Sequence, residues 1–169
     1  VQILPSPATV VAKTAERDAP GVLLFPPLIP LAMLAVGAVL QWLAPLGWST
    51  HLGPWRFGIG LLLALGGLVV AFLGVKALRR RGTNVRPMLP TLAIATDGSF
   101  AWTRNPIYVG GIALSAGIAL ALGLDWALLL HPFGFLLLHR GVVLREERYL
   151  TRKFGDEYRS YQAMVRRYL

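Results

Sequence analysis

Charge disappears from this chain for long stretches. No Asp, Glu, Lys or Arg stands between Asp18 and Arg56 or between Arg56 and Lys76, and only Asp125 interrupts the run from Arg104 to Arg140. A helix needs about 20 mostly apolar residues to cross a hydrocarbon core of about 30 Å, so these windows predict membrane-spanning helices. The first covers about 21–44, with Pro26, Pro27 and Pro30 disturbing its opening turns. The second covers 57–78, where Gly60, Ala64, Gly67, Ala71 and Gly74 recur at spacings of three and four and predict a close helix-packing face. The third window is too long for one helix. A reversal at Gly123–Trp126 splits it into a hairpin of spans over 106–123 and 126–144. Trp42, Trp48 and Trp55 fall between the first two spans, as interfacial aromatics do.

The polar segments set the orientation. Residues 1–20 form a polar tail, and 21–169 a single membrane domain. From Lys76 to Arg104 there are six basic residues against Asp97, and from Arg140 onward eight against four acids. The two opposite connections carry only Arg56 and Asp125. Basic residues favour the cytoplasmic side, so four crossings with both termini inside are expected. The long loop 79–105 and the tail 139–169 then share one membrane face and can meet.

Composition narrows the chemistry. The chain is 55% apolar and 15% charged, against about 25% charged in soluble domains. Its net charge of +9 flanks apolar segments, which suits lipid headgroups and topology rather than nucleic acid. The absence of cysteine removes disulfides and thiolate chemistry. His51, His131 and His139 are scattered, so no metal site is expected, and no nucleotide-binding glycine motif occurs.

Two segments carry candidate chemistry. In "DGSFAWTRNPIYVGG", a turn at Asp97–Gly98 precedes Arg104, Asn105 and Pro106 at the predicted start of a helix. Proline suits the first turn, Asn105 can cap it, and the exposed amides with Arg104 would attract an anion. Tyr108, Gly110 and Gly111 follow. The bland alternative is an interfacial arginine before an ordinary helix start. In "HRGVVLREERYLTRKFGDEYRSY", Glu146 and Glu147 are adjacent and so point about 100° apart on a helix. One can face a site while the other pairs with arginines, and His139 lies two turns back. Gly155 then stops the helix and Asp156 caps a last short one, on which Tyr158, Tyr161, Val165 and Tyr168 share a face.

Taken together, "GTNVRP", "TDGSFAWTRNPIYVGG" and "REERYLTRKFGDEYRSYQAMVRRYL" resemble the isoprenylcysteine carboxyl methyltransferase family and its phospholipid N-methyltransferase relatives, over about Lys76 to Leu169. The matching positions are Arg104, Pro106, Tyr108, Gly110, Glu146, Glu147, Leu150, Phe154, Gly155, Tyr158 and Tyr161. The resemblance implies an all-α integral membrane protein whose C-terminal amphipathic helices complete a cofactor pocket. It further implies methyl transfer from S-adenosylmethionine to a lipophilic or small acceptor bearing a carboxylate, amine, thiol or hydroxyl. Arg104 and Glu147 are the expected catalytic residues. Gly98, Arg104, Asn105, Pro106, Tyr108, Gly110, His139, Glu146, Glu147 and Tyr158 are the expected cofactor-binding set. Asn105 replaces the histidine of the prenylcysteine enzymes, which points to a bacterial-type member in an inner membrane and puts prenylcysteine in doubt as the acceptor. The competing readings are an NADPH-dependent membrane reductase of the sterol reductase type and a non-enzymatic membrane scaffold.

Overall fold

The computed structural model describes residues 18–169, and among them every regular element is helical. The helices are α1 (Leu28–Leu43), α2 (Trp55–Arg80), α3 (Pro106–Leu122), α4 (Asp125–Leu138), α5 (Leu144–Phe154) and α6 (Asp156–Met164). A π-helical turn at His139–Val143 joins α4 to α5, so one rod runs from Asp125 to Phe154. That rod and α2 are long and apolar enough to cross a membrane; α1 and α3 are shorter apolar helices. Leu62, Leu68, Val69 and Phe72 stand exposed along α2, an apolar face that suits lipid.

Helix α1 starts seven residues later than the sequence predicts. Pro26 and Pro27 lack the N–H groups that an earlier turn would use, and Pro27 sits at the helix start. The hairpin turn falls at the expected place. Gly123 adopts φ +68°, and Leu124 N–H donates to the Ala119 carbonyl at 2.8 Å.

Small residues bring α2 against α3 backbone to backbone. A Cβ added to Gly110 would lie 2.5 Å from both Ala71 N and the Gly67 oxygen, and one added to Gly60 would lie 2.5 Å from Ala121 N. The predicted packing face therefore exists, and Gly110 belongs to it. On the other side, Gly37 of α1 meets Ala127 of α4, and Met33 meets Gly134. Two buried clusters frame the polar end. Ile29, Met33, Leu138, Val142 and Val143 form one; Ala77, Ala95, Phe100, Tyr158 and Tyr161 form the other.

Candidate functional site

Beyond the apolar part of the long rod, α5 is strongly amphipathic, and its charged start faces the loop between α2 and α3. The loop holds its shape through side chains. Thr83 Oγ1 accepts from Leu92 N at 2.9 Å, and Asn84 Nδ2 donates to the Pro90 carbonyl at 2.7 Å. A 3-10 turn at Gly98–Ala101 then leads into Thr103, Arg104 and Asn105. These three are clamped by the C-terminal segment. Arg104 N–H donates to the Arg166 carbonyl (2.9 Å), and Thr103 Oγ1 and Asn105 Nδ2 donate to the Arg167 carbonyl (3.1 and 3.0 Å). Asn105 sits at the N-cap position of α3 yet makes no side-chain cap bond. The expected capping role passes to the tail contact, because the incoming chain offers a carbonyl that the amide can reach.

The adjacent glutamates separate as helical geometry requires. Glu147 is buried and receives Arg167 through two bonds, Nε to Oε1 at 2.9 Å and Nη2 to Oε2 at 2.8 Å. Arg104 Nη1 lies 3.2 Å from the same carboxylate. Glu146 points elsewhere and accepts from the Tyr108 hydroxyl at 2.7 Å. Burial pushes the Glu146 carboxyl up to about 7; the Tyr108 bond opposes this shift and the Glu147 charge adds to it. Tyr158 is held up at about 12, first by burial and then by Glu147.

Arg104, Asn105, Pro106, Tyr108, Glu146, Glu147 and Tyr158 line one cavity. Its other wall is the loop, through Asn84, Arg86 and Thr91 among others, and Pro20 borders it from the N-terminal side. The interior open to water is about 120 Å³, below the roughly 300 Å³ of a typical small-molecule pocket. A nucleoside-sized ligand therefore needs the mouth as well, or a displaced loop. Arg104 contributes a donor set ready for an anion. Its Nε is buried and makes no hydrogen bond among the described residues, while Nη1 is ion-paired to Glu147 at 3.2 Å.

Three expected site residues lie elsewhere. Gly98 is on the far side of the loop, at φ +59°, beside Ala77. Gly110 packs against α2, as above. His139 meets the Tyr168 hydroxyl through Nδ1 at 2.8 Å and stays outside the cavity lining. Tyr158 and Tyr161 are buried on α6, but Val165 and Tyr168 follow its end at Met164, so the predicted face stops short. Asp156 is the first helical residue rather than the cap; Gly155, at φ +56°, holds that position.

Sequence reasoning missed several partners. Arg167 lies 20 residues from the carboxylate it grips, and no local pattern announces such a pairing. Tyr149 was likewise invisible. Its hydroxyl donates to Asp18 Oδ1 at 2.6 Å and accepts from Thr91 N at 3.1 Å, tying the N-terminal segment and the loop to α5. Lys153 closes that knot on Asp18 at 2.6 Å.

A second, apolar cavity of about 510 Å³ opens between α1 and α3. Pro30, Leu31, Leu34, Ile112 and Ile118 line it, and it shares Val85, Arg86, Pro87, Ile107 and Tyr108 with the polar one. A polar ligand and an apolar one can thus meet at Tyr108. A family model described as phospholipid methyltransferase matches residues 55–157, from the start of α2 into α6. Comparisons with curated proteins and with solved structures gave no match.

Proposed function

The chain belongs to the phospholipid methyltransferase family, and from that premise we propose that it transfers a methyl group from S-adenosylmethionine to a lipophilic acceptor at the membrane. Methyl transfer and a membrane setting come with the family; the donor and the acceptor are our reading. One observation carries it: Arg104, whose buried Nε has no partner among the described residues, shares a cavity with Glu146, Glu147, Tyr108 and Tyr158, and that cavity touches a hydrocarbon-lined one.

The donor set suits the proposed cofactor piece by piece. A buried donor without a partner costs about 1–3 kcal/mol, and the ligand's carboxylate would satisfy Arg104. Glu146 suits the ligand's cationic centre, which would favour its ionised form. Tyr108 and Tyr158 offer ring faces to a sulfonium or an adenine. When bound, S-adenosylmethionine supplies an electrophilic methyl on positively charged sulfur. The protein's task is then to orient and to exclude water. Arg104 and Glu147 fix one end of the site, and Tyr108 stands where the two cavities join. In-line approach within about 3–3.5 Å is the requirement that such positioning serves. The same proposal includes both termini on the cytoplasmic side, which the basic residues of the loop and tail support, and an inner-membrane location, which the bacterial-type resemblance supports.

Calorimetry with S-adenosylhomocysteine tests it. Binding by the purified protein, lost in Arg104→Ala and Glu147→Ala, is the expected result. Binding of NADPH in its place would move the protein to the reductase reading, and binding of neither would leave a scaffold.

A further inference from the structure

Residues 18–23 lie along one stripe of the long rod. Asp18 is held by Lys153 Nζ and by the Tyr149 hydroxyl, each at 2.6 Å. The Gly21 carbonyl accepts from Arg145 Nη1 at 3.2 Å, and Leu23 N donates to the Gly141 carbonyl at 3.2 Å. Positions 141, 145, 149 and 153 stand four apart and so share a helix face. The segment thus runs antiparallel to the rod for about 18 Å, at 1.5 Å per residue. Within it, Pro20 is buried and borders the polar cavity.

The two ends of this strap are held differently. Val22 packs against the cluster of Ile29, Met33, Leu138, Val142 and Val143, an apolar contact that salt does not weaken. At the other end, the side chains of Asp18 and Lys153 are 56% and 26% exposed. Such a pair adds little stability and is screened by salt. Between the two ends Gly21 holds φ +61°, so the chain can pivot there with no side chain to clear. Tyr149 links the weak end to another wall of the cavity. Its hydroxyl also accepts from Thr91 N at 3.1 Å, and Thr91 lines the cavity. A phenol that donates to a carboxylate is a better acceptor, so losing Asp18 weakens the Thr91 bond too. The closed interior of about 120 Å³ is too small for a nucleoside-sized ligand.

We propose that residues 18–20 are a latched strap over the polar cavity. Release of Asp18 from Tyr149 and Lys153 swings Pro20 aside about Gly21 and slackens the loop at Thr91, and this opening admits the ligand. The inference concerns access and holds for any polar ligand of this cavity.

The chain has no cysteine, so one introduced thiol reports the opening. Ala95→Cys and, separately, Ala93→Cys place it on the cavity wall; Ser160→Cys on the exposed face of α6 is the control. The full chain in neutral detergent is labelled with iodoacetamide, whose neutrality keeps salt from acting on the reagent. Asp18→Ala should speed labelling at the wall about five- to tenfold, Lys153→Met should do so by less, and neither should change the control. Raising salt from about 50 to about 500 mM should speed labelling while the latch is intact and add little in Asp18→Ala. Hydrogen exchange in the α2–α3 contact should stay unchanged. A wall rate indifferent to Asp18→Ala, or a salt response that persists in full in that variant, would overturn the proposal. So would equal acceleration in the α2–α3 contact, which would make Asp18 a support of the whole fold. No cofactor enters the measurement, so its outcome is independent of the methyl-donor reading.

Discussion

The guanidinium of Arg104 lies 3.2 Å from the carboxylate of Glu147, and each side chain is only 9% exposed. The loop before α3 and the start of α5 are thereby joined by a buried ion pair, with Arg167 of the tail as third member. Removing one partner of a buried pair costs about 3–5 kcal/mol, because a charge is left without compensation. Glu147→Ala should therefore lose stability by an amount in that range, seen as a lower melting temperature, and Glu147→Gln should lose less. Arg167→Ala, whose side chain is 38% exposed, should cost clearly less than Glu147→Ala. Thermal unfolding in detergent measures all three.

Glu146 predicts a pH dependence with a definite sign. Its carboxyl is raised from 4.5 to about 7 in the fold, chiefly by burial. The folded protein then binds the proton more tightly than the unfolded chain. The resulting stability is fully present below about pH 4.5 and is lost as pH rises through about 7, by at most about 3 kcal/mol. A melting series from pH 5 to 8 should show a falling component that Glu146→Gln removes. Tyr108→Phe deletes the bond that holds the carboxyl down, so it should move the midpoint upward. A series that is the same in wild type and Glu146→Gln would contradict this account.

Glycines on α2 and α3 divide into two groups. Gly67→Ala and Gly110→Ala drive a methyl into the facing backbone, where no side chain can turn aside. Both should sharply reduce the yield of folded protein or its melting temperature. Gly66→Ala and Gly111→Ala meet nothing within 4 Å and should be neutral or slightly stabilising, since alanine favours helix by up to about 1 kcal/mol. Expression and melting of the four variants decide the matter.

Tyr149→Phe should loosen the mouth of the polar cavity without disturbing the helical pairs. The change removes the Asp18 and Thr91 contacts, worth about 1 kcal/mol each. Hydrogen exchange should speed up in residues 84–93 and stay unchanged in the α2–α3 contact. Uniform acceleration would mean that Tyr149 supports the whole fold instead.

What the sequence determined by itself was periodic or local. Uncharged windows located the apolar helices, because a long charge-free run is costly to expose to water and cheap in lipid. Glycine spacing located the α2–α3 contact, because small residues three and four apart share a helix face. The turn at Gly123 and the stop at Gly155 were legible because both need positive φ. The grouping of Arg104, Tyr108 and the two glutamates was legible as a family resemblance, though not the direction each side chain takes. Tertiary structure alone decided that Glu147 takes the arginines while Glu146 takes Tyr108, since adjacent helical residues differ by 100° and only the packed neighbours fix the rotation. It also moved Asn105 from cap to tail clamp and His139 out of the cavity. It placed Arg86 at the boundary of two cavities. Each of these depends on residues distant in sequence being brought together, and no local pattern encodes their meeting.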